Sequence, residues 1–454
     1  MPVIPCVSEI FATVRKLMTM TNVLFVPLLV FLFVFPCAAE EPAGSIPLDT
    51  AYDLALKSHP LIKSAEREIA KSRLLPRKAE SEYYPRLNGY GNYSEADQEI
   101  TSGNTVIEPD EQAKADLELI QPLFKAAYSP MKEQALREID KSTELYVLTV
   151  QDVFFKVAQS YYQILEAEEL IVNAQEFLDL AGEDLRFSKV KFAAGDVTED
   201  AVLQSELNVV QAEGSLLESK NMLRIARDVF KSTVGMVTDD FKVVQPLPLV
   251  LPEGDLETFY QIALENRADH KVARHNIEQA KTGIELTRAK YFPTLEGDIN
   301  YYVVDQPSFD QNDDNLKGTV KLVIPFYDGG LRHTEMKEKG ETLNQTKLAR
   351  TDLENSIKIE VEDNFIKIET YKTLLENLQK QMELAQKNYE ITKGKFDYGA
   401  ATILELDQAL TTMHNVKTNL ITKTYDYQLA ILGLQKAMGL FMKEKGLHAL
   451  PDMS

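Results

Sequence analysis

The fold class predicted here is a mostly helical, elongated protein made of two copies of one unit, each copy carrying a long two-faced β-hairpin. Three observations lead there. No proline occurs from Met131 to Gln245, a run of 115 residues, or from Phe326 to Leu450, a run of 125, although the chain holds 19. Both runs are rich in Ala, Leu, Glu, Lys and Gln and far exceed the roughly 8 to 20 residues of an ordinary globular helix. Lys191-Phe192-Ala193-Ala194-Gly195-Asp196-Val197-Thr198 returns 204 residues later as Lys395-Phe396-Asp397-Tyr398-Gly399-Ala400-Ala401-Thr402, with Lys, Phe, Gly and Thr at matched positions. Finally, the period changes to two after Tyr84-Pro85 and Phe292-Pro293, where a proline ends helix and begins extended chain.

Composition removes several function classes. The formal charge of −21 argues against a nucleic-acid partner, because phosphate neutralisation needs clustered Lys and Arg. Both cysteines, Cys6 and Cys37, lie in the first 39 residues, so the body has neither a disulfide framework nor a CxxC metal site. The six histidines show no HExxH or i, i+4 pairing, the four aspartates between Asp305 and Asp314 lack EF-hand spacing, and no nucleophile-elbow or phosphate-loop pattern occurs. No cofactor or metal is expected, and an enzyme reading has no positive support.

Residues 1–39 read as a secretory signal peptide. Arg15 and Lys16 precede an apolar run from Val23 to Phe35, and Cys37-Ala38-Ala39 before Glu40 offers small residues at a cleavage site. That run falls short of the roughly 18 residues that suggest a spanning helix. An uncleaved anchor, a start at Met18 or Met20, and lipidation of Cys37 are the alternatives, the last disfavoured by Pro36 before it.

The first repeat covers 40–240, a Pro- and Val-rich connector covers 241–255, the second repeat covers 256–440, and a tail covers 441–454. Each repeat opens with a short helix (Leu48 to Lys57; Leu256 to Glu265) and continues with a second one from Pro60 or Ala268 to the Tyr-Pro or Phe-Pro pair, where Pro76 can kink the first copy. Strands follow at about 85–98 and 113–123, and at about 293–304 and 317–324, with polar loops at 99–112 and 305–315 between them. Leu295, Gly297, Ile299, Tyr301 and Val303 alternate with Thr294, Glu296, Asp298, Asn300 and Tyr302; the first copy alternates more weakly. Helical hairpins then span 126–235, with a tip near 195, and 330–439, with a tip near 399.

Strands of about ten residues with one apolar and one polar face suit a transmembrane barrel, and equally a two-sided sheet in a soluble domain. Four strands are too few for a closed barrel of at least about eight, so a membrane reading requires an oligomer. Helix lengths add a geometric expectation. The descending helix is too short to match its long partner, but adding the second short helix makes up the difference, so two helices stacked end to end can run beside one long helix. Seams at near-heptad spacing (Val150, Phe154, Val157, Tyr161 and Ile164; Leu203, Leu207, Val210, Gly214 and Leu217; Leu420, Tyr427, Ile431, Leu434 and Met438) are expected to bury against other helices.

The duplicated order, the Tyr84-Pro85 and Phe292-Pro293 strand openings, Pro325-Phe326-Tyr327-Asp328-Gly329-Gly330 entering the second long helix, and the two glycine tips together resemble the TolC-like outer-membrane factor family, from Leu48 to about Leu440. The resemblance implies a homotrimer whose strands complete one transmembrane β-barrel in outer-membrane lipid, with a long α-helical barrel of coiled-coil hairpins reaching across the periplasm and an equatorial belt of small elements. It implies a passive exit duct for a tripartite efflux pump or type I secretion system. Its partners would be a periplasmic adaptor (membrane fusion) protein and, through it, an inner-membrane pump of RND, ABC or MFS type.

By the same resemblance the tips meet the adaptor, which makes Lys191, Phe192, Gly195, Asp196, Lys395, Phe396, Gly399 and Ala400 docking candidates. Glu405 and Asp407 become candidates for an acidic, pore-lining ring, since charged rings select ions by sign. Each has a plainer reading: Thr402-x-x-Glu405 and Asp196-x-x-Glu199 suit helix starts, and the two lysines suit solvated surface. No basic residue follows either glycine to form an ion-paired lock. The competing function is a soluble periplasmic coiled-coil scaffold or adaptor.

Overall fold

The computed structural model describes residues 44–441 except 104, 109, 239, 248, 252, 253 and 306–312. The signal segment, Cys37, nearly all of the 441–454 tail and most of the 305–315 loop lie outside the described residues. In order the elements are β1 (Ser45–Ile46), α1 (Leu48–Ser58), α2 (Pro60–Ser72), α3 (Leu75–Ser81), β2 (Arg86–Glu95), β3 (Ile100–Ser102), β4 (Thr105–Glu108), β5 (Glu111–Lys125), α4 (Tyr128–Ala194), α5 (Glu199–Val234), β6 (Lys242–Val243), α6 (Leu256–Asn266), α7 (Ala268–Ala289), β7 (Thr294–Asp305), β8 (Asp313–Val323), α8 (Leu331–Asp397) and α9 (Ile403–Ala437).

Helices α4 and α8 have 67 residues each, about 100 Å at about 1.5 Å per residue. Their partners α5 and α9 have 36 and 35, and the remaining length is covered by α2 with α3 and by α7. Helix α4 runs between α5 with α2 and α3 on one side and α9 with α7 on the other; α8 lies beyond α7 and α9. The stacking joints explain a second pair of repeated glycines, Gly235 at φ +72° and Gly439 at φ +71°. Ser58 Oγ donates to the Val234 carbonyl at 2.6 Å, and a Cβ on Gly439 would stand 2.8 Å from the backbone nitrogen of Arg267. The first copy's upper helix breaks at Arg73 and Leu74, with Pro76 in the opening turn of α3, where its missing N–H costs nothing.

Strand register makes the two faces explicit. The sheet is antiparallel in the order β2-β5-β7-β8, so the two repeats join at β5 and β7. Leu87, Leu119, Ile299 and Gly318 form one cross-strand row and Gly89, Leu117, Tyr301 and Leu316 another, whereas the row between them is Asn88, Glu118, Asn300 and Lys317. Among the described residues nothing covers the apolar face: Leu87 is 68% exposed and Leu316 68%. No helix among the described residues is long and apolar enough to cross a membrane.

Three features correct or add to the sequence expectation. The segment 99–112 is not only loop, because β3 and β4 pair within it. The connector is tied down, since β6 pairs in parallel with β1 and the buried Tyr161 hydroxyl lies 2.9 Å from the Ile46 carbonyl and 2.8 Å from the Val244 amide, from which it accepts. The α4 seam is buried, with Val150, Phe154, Val157, Tyr161 and Ile164 at 0%, but the α5 seam of Leu203, Leu207, Val210 and Leu217 is more than half exposed. Helix α5 is an edge element and buries instead its small and polar stripe, Ala201, Ser205, Asn208 and Ala212.

The turn into α8 shows why Asp328-Gly329-Gly330 stands there. The Asp328 carboxylate accepts from the Gly330 and Arg332 amides and from Arg332 Nε at 2.6 Å, while Arg332 also donates to the Pro325 carbonyl. The turn after β8 is thereby tied to the first turn of α8.

Candidate functional site

The two glycine turns close alike, hydrogen bond for hydrogen bond, although Thr198 makes no side-chain cap where Thr402 does. At the first, Gly195 has φ +84°, its amide donates to Phe192 O at 3.0 Å, and the Asp196 amide donates to Lys191 O at 2.9 Å. At the second, Gly399 has φ +72°, its amide donates to Phe396 O at 3.1 Å, and the Ala400 amide donates to Lys395 O at 2.8 Å. This paired closure of a helix end needs a left-handed residue, which accounts for both glycines; space does not, because an added Cβ would touch nothing within 4 Å.

The tips differ in what they touch. Phe192 is 46% exposed, whereas its counterpart Phe396 is 2% exposed beneath Lys191. The Lys191 ammonium donates to the carbonyls of Phe396 and Asp397 and sits 4.5 Å above the Phe396 ring. It thus crosses from hairpin one to hairpin two, while Lys395 stays exposed. Solvation, the plainer reading of both lysines, holds only for Lys395. Lys191, Asp196, Phe396, Tyr398, Gly399 and Leu404 help to line a groove of about 780 Å³ between the tips.

Polar ties continue up the seam between the hairpins. Lys393 pairs with Glu183 at 2.8 Å, which holds the Glu183 carboxyl below its usual range, and Lys417 pairs with Glu176. Asn173 donates to Thr418 Oγ1 at 2.9 Å, and the Tyr425 hydroxyl donates to Glu169 at 2.7 Å. These residues come from opposite hairpins more than 200 positions apart, so no local sequence pattern reveals them. The basic partners absent after the glycines therefore stand before them, as Lys191 and Lys393.

The two acidic candidates separate. Glu405 is exposed and completes a capping box: its backbone N–H donates to Thr402 Oγ1 at 3.3 Å, and its carboxylate accepts from the Thr402 amide at 2.8 Å, which holds its pKa below the usual carboxylate range. Asp407 must be corrected. It is 5% exposed and points into the protomer, where Oδ1 accepts from Asn208 Nδ2 at 3.2 Å, so its carboxyl is not offered to a lumen. Two residues further along a helix the side chain is turned by about 200°, which carries it from the exposed face to the seam. Among the described residues no three His, Cys, Asp or Glu side chains gather as a metal ion would need.

Comparison with known proteins agrees with this architecture. A family model described as outer membrane efflux protein matches residues 51–235 and 259–440, one segment per repeat. The outer membrane protein TolC of Vibrio cholerae is 23% identical over 429 residues, covering 87% of this chain and 90% of that protein. The proteases secretion protein PrtF of Dickeya chrysanthemi is 21% identical over 415 residues, covering 87% and 89%. A crystal structure of CusC, described in terms of folding and transmembrane channel formation, superposes with a TM-score of 0.76 at 19% identity, covering 86% of this chain and 92% of that one.

Proposed function

This chain belongs to the outer membrane efflux protein family, and from that premise we propose that it is the outer-membrane exit duct of a tripartite efflux pump or a type I secretion system. The observation that carries the reading is the four-stranded sheet with a bare apolar face and two unpaired edges, β2 and β8. Such a sheet is incomplete alone, because open edges and an exposed apolar face are satisfied only by further strands and by lipid. Three copies joined edge to edge supply about twelve strands, enough to close a barrel whose polar rows face the water inside.

The helical part repeats the logic. Leu203, Leu207, Val210 and Leu217 lie bare on α5, and Ile359, Ile366, Leu384 and Ile391 lie bare on α8, at the opposite edge of the protomer. Head-to-tail packing of α8 of one copy on α5 of the next buries both stripes and closes the ring. The duct then extends into the periplasm by the length of α4 and α8 and ends at the Gly195 and Gly399 tips.

We assign adaptor docking to the exposed tip residues Phe192, Gly195, Asp196, Lys395, Gly399 and Ala400, with the groove between the tips as receptor and Lys191 and Phe396 as its floor. An inner-membrane pump would act through that adaptor. Glu405, exposed just inside the second tip, is the remaining candidate for an acidic ring.

Purified protein reconstituted in planar bilayers should form discrete ion-conducting channels as a trimer. Water-soluble monomers that neither bind membranes nor conduct would overturn the reading in favour of a periplasmic scaffold.

A further inference from the structure

Just inside the tips, the four long helices meet at a layer that is polar where the surrounding seam is apolar. Helix α4 contributes Asp184 and Ser188, α5 contributes Ser205 and Asn208, α8 contributes Tyr389, and α9 contributes Asp407. Asp184 is 1% exposed and Asp407 is 5% exposed, amid a core cluster that includes Ala181, Ala212, Leu406 and Leu410. The Ser188 and Ser205 hydroxyls lie 2.9 Å apart, and the Tyr389 hydroxyl donates to Asp184 Oδ2 at 3.3 Å. Asp407 Oδ1 accepts from Asn208, whereas its buried Oδ2 meets no hydrogen bond of normal geometry, the Gln204 side chain facing the carboxyl only loosely. A carboxylate left this way is costly; a carboxylic acid at the same place is far less so, because protonation removes the charge.

We propose that Asp184 and Asp407 form a buried proton-binding site that sets how firmly the two hairpins are seated on each other beside the tips. The consequence for gating rests on reading the tips as the gate. The groups facing the pair come from the three other helices of the layer: Lys393, Asp397 and Tyr389 on α8 and Glu183 on α4 face Asp184, while Asp184 itself, with Asn208 and Gln204 on α5, faces Asp407. Lys393 is the one cation in this set, and it is bonded to Glu183. Two like charges in one dry layer oppose joint ionisation, so the pair titrates as a unit.

Burial, with the neighbouring Asp184 charge, pushes Asp407 up to about 7, and burial pushes Asp184 up to about 6. Both folded values lie above the 3.8 of a free aspartate. The protonated seam is therefore fully stabilised below about pH 4, and stabilisation is lost as pH rises through 6 and 7. Acid seats the hairpins, and neutral to alkaline conditions loosen them.

Hydrogen–deuterium exchange of the detergent-solubilised oligomer, followed in peptides spanning 177–192 and 403–414 and corrected for intrinsic rate, tests the site without needing a channel. Seam opening in the native protein should rise about tenfold or more between pH 5.5 and 8. Asp407→Asn, which keeps the shape and cannot ionise, should flatten that slope, and Asp184→Asn should lower it in an oligomer of unchanged size. A pH-independent native seam, or native slopes in both variants, would refute the proposal. Conductance recorded in parallel tests the gate reading separately: a slope lost in Asp407→Asn with unchanged gating leaves the proton site standing and removes the gate.

Discussion

Replacing Lys191 by methionine isolates a direct polar tie between the two tips. The ammonium of hairpin one sits at the C-terminal end of α8 in hairpin two, where it meets the carbonyls of Phe396 and Asp397 and the face of the Phe396 ring. Carbonyls in a last helical turn lie at the negative end of the helix dipole and offer a second lone pair even where, as at Phe396, a closing amide already donates, so a cation there is favoured. Hydrogen bonds to a charged group contribute about 1.5 to 3 kcal/mol each, and an exposed cation–π contact about 0.5 to 1. These overlap, and Lys191 is only half-buried, so solvent screening brings the total to about 2 kcal/mol per protomer. That corresponds to roughly a 30-fold shift between seated and separated tips. Methionine keeps the stem and its packing while removing the charge. Single-channel recording should therefore show a large loss of closed-state residence in Lys191→Met, together with loss of the salt sensitivity that the native tie carries. Lys395→Met is the matched control: the same residue at the same repeat position, but exposed. If both variants behave as the native channel, or if both shift equally, the reasoning from the carbonyl contacts is wrong.

Other perturbations read other parts of the duct. Glu405→Ala should fray the first turn of α9, visible as faster amide exchange at 403–406, and should weaken cation preference in open channels; unchanged reversal potentials would leave the carboxylate as a helix cap alone. Ile299→Arg places a charge on the bare apolar face of β7, and the cost of about 2 to 4 kcal/mol near a bilayer midplane should appear as reduced membrane assembly, with full assembly arguing against lipid on that face. Arg267 pairs with Asp269 and Glu360, both at 2.7 Å, and donates to the Ala437 carbonyl at 3.1 Å where α9 stacks under α7. Arg267→Ala removes the partner of the mostly buried Asp269 and the carbonyl contact, with the half-exposed Glu360 screened by water, and should cost about 1 to 3 kcal/mol, measurable as a lowered unfolding midpoint.

Much of this molecule is legible because its largest features are local or repeated. Proline-free runs report long helices, a residue tolerant of positive φ reports a tip, and alternation of Leu295 through Val303 reports a two-faced strand without reference to any distant contact. The repeat multiplies that information, since the same closure at Lys191–Asp196 and Lys395–Ala400 fixes the meaning of each. What escapes is whatever depends on how the copies meet. Identical motifs acquired different surroundings once hairpin one lay against hairpin two: Phe192 remained open while Phe396 was roofed by Lys191. The α5 seam carries the same heptad signal as the α4 seam, and periodicity cannot say that one faces a helix of its own chain and the other faces outward. Asp407 is the sharpest case. Its spacing from Gly399 suits a pore-facing acid as well as a buried one, and only the opposition of Asn208 and Asp184 across the seam decides between them. A duplicated sequence therefore discloses its scaffold readily and conceals its asymmetries, and in this duct the asymmetries are where one hairpin holds the other.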